Sequence, residues 1–385
     1  MFLSLYGPQL LANIYIYHLF VIISVTYFTL LNINYKFTKH SLMVLTVMSV
    51  LVLTFILNAI VASLADSFML TIASIGGLEA YLEIFFGIFF GFILYKNGVS
   101  LITLEKFVLF VLMPIATITI IFYILSPDEA RSIINNYLYG VSATAQWRFS
   151  GFYGLPYYAA IGYLVFLFEI IIALRKKLRK SIKLYLQLSF IIILIGGIVA
   201  ASKTFILGVF ILFIFAIFTS KKPLKILSLS IFLISLFLIA ITQNIGDRFK
   251  GEIKLMKNYS FDSMYEAIEF RYWSDENLAA SALFSDDNWN PYIGIGGNAT
   301  NYPTDSQFRD VVYRFGYIGL IFFMIFLSSI FYYVSFEYKF LLIILAIGSL
   351  GSNGFTPIGS TLIIWTLINL NILENRKSYR QKLMI

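Results

Sequence analysis

Arginine and lysine side chains offer this sequence its richest chemistry where they stand beside glycine, hydroxyl or aromatic residues. Arg148 lies between Trp147 and Phe149, just ahead of the turn-forming Gly151, Gly154 and Pro156. A guanidinium in such a setting can grip phosphate oxygens, because its planar fork donates two parallel hydrogen bonds. The same pattern also describes an interfacial aromatic belt with an arginine reaching back to water. Lys203 sits between Ser202 and Thr204 in a turn between two apolar runs. That trio suits an anion, and equally a helix end that satisfies its own polar groups. Arg248 and Arg271 belong to a long polar stretch, residues 244–310. Beside Arg271, Tyr272 and Trp273 could stack on sugar rings or bury in a membrane interface.

The end of that stretch carries a second group. Gly294, Gly296 and Gly297 supply backbone able to turn sharply and approach a ligand closely. They do not form a dinucleotide-binding fingerprint, which needs a preceding strand and a following soluble helix. Asp305 and Ser306 could cap the next helix, and Arg309 and Arg314 would follow near its outer end. From its position alone, Asp305 reads as a helix cap. Glu79 and Glu83 stand one helical turn apart inside an apolar run. Buried carboxylates there could form a proton or cation site, or could lie near water at the helix end.

These residues are positioned by a chain that is 59% hydrophobic and only 12% charged, with a mean hydropathy of +0.85. Soluble domains carry about 25% charge, so the expectation is an all-α polytopic membrane protein. Apolar runs cover 10–31, 41–63, 72–95, 106–125, 154–174, 184–200, 204–219, 226–243, 311–334, 340–351 and 358–372. With about 20 residues needed per crossing, this predicts about eleven transmembrane helices. The first run, without a basic leader or a small-residue cleavage site, reads as a retained helix. The last two runs flank a Gly- and Ser-rich stretch, 351–360, and form either a tight hairpin or a broken helix lining a cavity. The organisation expected is residues 1–243 as the first eight spans, 244–310 as a large extracytoplasmic loop, and 311–385 as the last spans and a tail.

Basic residues orient the bundle. With the loop outside, Lys36 and Lys39, Lys96 and Lys106, the cluster 175–183, Lys221, Lys222 and Lys225, Lys339 and the tail 376–382 all fall inside. That asymmetry follows the positive-inside rule for short loops. The net charge of +8 therefore reports topology and points to no nucleic-acid partner. The cluster 175–183 could also form a collar on an anionic leaflet. Cysteine is absent, which excludes disulfides and thiolate chemistry. The two histidines, His18 and His40, lie far from the polar loop, and the sequence holds no metal-ligand cluster.

Taken in order, these pieces resemble the O-antigen polymerase and ligase superfamily of bacterial membrane glycosyltransferases. Arg148, Ser150 and Gly151 look like the family's Arg-x-Ser-Gly segment, and Ser202-Lys203-Thr204 like its Ser-Arg-Thr turn with lysine for arginine. Arg271 to Trp273, Gly294 and Gly296, Asp305 and Ser306, then Gly316 and Gly319 complete the match. The ligase branch has a histidine ahead of the last glycines. Here Asp305 stands eleven residues before Gly316, which favours a polymerase. The resemblance implies a glycosyltransferase C-type fold in the bacterial inner membrane, with the loop periplasmic and the carboxyl terminus cytoplasmic. It implies donor and acceptor glycans on undecaprenyl pyrophosphate, no cofactor or metal, and a chain-length regulator protein as a further partner. Asp305 would then handle the acceptor hydroxyl proton and Arg271 would act beside it as a catalytic residue. Arg148, Lys203, Arg248, Arg309 and Arg314 would hold the pyrophosphate, and Tyr272 and Trp273 the sugars. An O-antigen ligase, or a transporter using Glu79 and Glu83, stand as alternatives.

Overall fold

The computed structural model describes residues 9–11, 14–15, 72–133, 156–200, 202–219, 291–292, 294, 306–351, 354–356 and 360–383. These are almost entirely helical. Among the described residues three helices, Leu101–Leu125, Lys180–Val199 and Gln307–Tyr333, are long and apolar enough to cross a membrane, and Tyr158–Leu174 and Thr204–Thr219 are shorter apolar helices. The runs at 41–63 and 226–243 lie outside the described residues, as does nearly all of the loop 244–310. Near the amino end, Gln9–Leu11 (β1) and Ile14–Tyr15 (β2) pair antiparallel. The helix expected from residue 10 therefore does not begin there. Branched Ile14 and aromatic Tyr15 suit extended backbone.

The chain divides into two compact units. The first is built on α1 (Ile72–Lys96), α8 (Gln307–Tyr333) and α10 (Thr361–Leu383). Helix α10 is buried all round from Thr361 to Leu373, so it is the axis of this unit. Small residues let α1 approach it: a Cβ on Gly87 would stand 2.7 Å from that of Trp365, and one on Gly91 would stand 3.0 Å from that of Asn369. This is the small-x-x-x-small geometry of close helix pairs. Polar groups stitch the seam, with Thr366 Oγ1 donating to the Gly87 carbonyl at 3.1 Å and Asn369 Nδ2 to that of Ile88 at 2.6 Å. At one end, Glu374 accepts the Leu101 amide at 2.6 Å, while Asn371 holds the turn at Ser335.

The second unit comprises the end of α2 (Leu101–Phe107), a π-helical turn (Val108–Leu112), α3 (Met113–Leu125), α4 (Pro127–Ile133), α5 (Pro156–Leu174), α6 (Lys180–Val199) and α7 (Lys203–Thr219). Helix α9 (Phe336–Gly351) contributes residues 343–348. The wide turn has a local cause, because the Pro114 ring cannot sit against the carbonyl four residues earlier in a regular helix. Glycines again set the packing: Gly196 faces Ile120, Gly197 faces Phe205 and Gly208 faces Leu164. Buried Glu105 pairs with Lys176 at 2.7 Å.

Candidate functional site

The break in α8 builds the site. Gly316 adopts φ 67° and ψ −173° inside the helix, which separates Gln307–Phe315 from the apolar stretch that follows. Such a φ belongs to glycine. The break frees amides that a continuous helix would have used. Tyr317 N–H donates to the Pro291 carbonyl at 2.8 Å and Ile318 N–H to that of Tyr292 at 3.2 Å. Pro291 and Tyr292, at the start of the glycine-rich segment, are therefore docked on the helix. The close approach expected of Gly294 is made to main chain: its φ is +75°, and a Cβ there would lie 2.4 Å from the Arg314 carbonyl carbon.

Arg314 stands at the centre. Its Nε donates to Asp310 Oδ1 at 2.8 Å, one turn earlier on α8. The other oxygen, Oδ2, accepts the Tyr81 hydroxyl from α1 at 2.9 Å. Arg314 Nη1 is buried and, among the described residues, has no hydrogen-bond partner. A buried donor left unpaired costs about 1–3 kcal/mol, more when it is charged. The side chain keeps 12% of its surface exposed, so the group is held near water without being satisfied.

A polar knot at the start of α8 supports this cluster. Gln307 makes three hydrogen bonds here: its Oε1 accepts the Phe355 amide at 2.7 Å and the Ser349 hydroxyl at 3.4 Å, and its Nε2 donates to Thr356 at 2.9 Å. Ser306 is the residue at the helix cap, yet its hydroxyl donates to the Ser349 carbonyl at 3.1 Å instead of capping. Aromatic rings close the other side. Tyr81 meets Phe315 edge-on at 5.0 Å, and Phe355 meets Phe323 at 5.8 Å. Trp365 fixes Phe355 by donating Nε1 to its carbonyl at 2.8 Å.

Of the residues singled out from sequence, Arg314 and Arg309 are placed on α8, with Arg309 half-buried. Lys203 opens α7 in the second unit, and the neighbouring Ser202 and Thr204 are buried. Glu79 and Glu83 both lie on α1, with Glu83 buried. Asp305, Arg271, Arg148, Arg248, Tyr272 and Trp273 lie outside the described residues. Sequence reasoning missed Tyr81, Gln307 and Asp310. The four-residue spacing of Asp310 and Arg314 was a readable signal of pairing, whereas nothing local marks Tyr81. Comparison of the chain with protein-family models, with curated proteins and with solved structures finds no match.

Proposed function

We propose that this protein is a membrane glycosyltransferase that polymerises undecaprenyl-pyrophosphate-linked oligosaccharide units into O-antigen or a similar surface polysaccharide. One observation carries most of the weight: Arg314 is partly buried at the head of a membrane-length helix and tied through Nε, while among the described residues its Nη1 has no hydrogen-bond partner. A guanidinium so placed suits a leaving pyrophosphate, whose growing charge it would stabilise. In this reading the donor glycan leaves its carrier, the glycosidic bond forms to an acceptor hydroxyl, and Asp305 takes the proton. Arg271 acts beside it. Arg309 joins Arg314 in holding the pyrophosphate, and Tyr272 and Trp273 hold sugar rings. The site faces the periplasm, the tail faces the cytoplasm, and a chain-length regulator is a further partner.

The test is the polysaccharide ladder of cells that lack the gene, with wild-type, Arg314→Ala or Asp305→Asn copies restored. A polymerase predicts loss of the ladder with a single repeat unit still joined to the lipid core. Polymer accumulating on its carrier would instead identify a ligase, and an unchanged ladder would leave transport as the function.

A further inference from the structure

We propose that Tyr81 and Asp310 form a positioning pair that pins the Nε edge of the Arg314 guanidinium, so that its opposite corner, Nη1, is presented to a pyrophosphate-type oxyanion. The identity of that anion rests on the function proposed above. Asp310 accepts from Arg314 Nε through Oδ1 at 2.8 Å, a charge-assisted bond that fixes one edge of the planar fork. Its Oδ2 accepts the Tyr81 hydroxyl at 2.9 Å, which ties the carboxylate to α1. At the opposite corner of the guanidinium, Nη1 has no hydrogen-bond partner among the described residues.

The arrangement is held from several sides. Tyr81 is buried on α1 and braced by Phe315 and Phe323, so its hydroxyl cannot swing away from Oδ2. Gly294 packs on the Arg314 main chain, which fixes where the side chain starts. With the carboxylate tied to Tyr81 and Nε tied to the carboxylate, the guanidinium plane is set, and the unused donor at Nη1 is what an incoming phosphate oxygen would satisfy.

The experiment uses the full-length protein in lipid nanodiscs, with inorganic pyrophosphate as the probe and sulfate at equal ionic strength as the control. Thermal unfolding is followed across a pyrophosphate titration. Wild type should show saturable stabilisation that sulfate does not reproduce, and Arg314→Gln should abolish it. Tyr81→Phe releases the carboxylate from α1 and loosens its hold on Nε, so the apparent Kd should rise about tenfold or more, equivalent to about 1.4 kcal/mol, a change read separately from any shift in the ligand-free midpoint. Asp310→Asn keeps an oxygen for Nε, and should also weaken binding.

Wild-type affinity in Tyr81→Phe, or no saturable response in wild type, would overturn the proposal. So would failure of both variants to fold, because that would assign the pair to stability alone. The polysaccharide ladder of Arg314→Gln reports separately on the reaction. Weakened binding with an intact ladder would sink the polymerase reading and leave the positioning pair standing.

Discussion

Gly294 presses against the main chain of Arg314 so closely that a methyl group on it would meet the carbonyl oxygen at 2.5 Å. Because its φ is also positive, replacement by alanine is penalised twice. Gly98 separates the two effects, since its φ is +78° with nothing within 4 Å of an added Cβ. Gly98→Ala should lose about 1–2 kcal/mol, the cost of a left-handed backbone. Gly294→Ala should lose more and also displace Arg314, lowering activity. Unfolding of the purified variants gives the order, and equal losses would show that the contact is soft.

Arg314→Lys tests geometry against charge. Lysine keeps the positive charge and loses both Nε and the planar fork. On the proposed function, polymer formation should fall by about 100-fold or more, the scale of losing an aimed donor to developing charge. Near-normal polymer would mean that any cation suffices there.

The α1–α10 seam offers a test of the fold away from the site. A Cβ on Gly87 would stand 2.7 Å from that of Trp365 and 3.0 Å from the Leu362 carbonyl oxygen. Gly87→Ala must therefore push the helices apart, at about 1–3 kcal/mol for overpacking. A drop in the unfolding midpoint should be measurable, with the effect confined to stability if the unit moves as a whole.

Trp365→Phe removes the donor to the Phe355 carbonyl while keeping most of the ring. The carbonyl is then buried without that bond, at about 1–3 kcal/mol. Phe355 also gives its amide to Gln307, so partial loss of activity should accompany the loss of stability. Full activity in this variant would show that the knot at Gln307 is independent of α10.

Apolar length made several helices legible. The runs at 72–95, 154–174 and 204–219 match Ile72–Lys96, Pro156–Leu174 and Lys203–Thr219 closely. Boundaries failed where polar residues are buried with partners. Helix α8 begins at Gln307 instead of 311, because Gln307 and Asp310 find their bonds inside the protein. Helix α10 runs to Leu383, well past 372, and its Asn369, Asn371 and Glu374 each satisfy a neighbouring backbone. The runs 340–351 and 358–372 prove to be two continuous helices, and the broken one is α8. Within the site, Arg314 was legible as a cation near a helix start. Its link to Tyr81 was not, since 229 residues separate Tyr81 from Asp310.

The break at Gly316 also bears on how this chain enters a bilayer. From Tyr317 to Tyr333 the helix extends roughly 26 Å at about 1.5 Å per residue, close to the hydrocarbon thickness of about 30 Å. The insertion machinery can therefore release an apolar rod that begins after the bend, since Tyr317 to Tyr333 carries no charged side chain. Arg314 and Asp310 lie before the bend, outside that rod. Helix α1 precedes α8 in the chain, so Tyr81 is already made when the ion pair closes on it, as a late step of maturation.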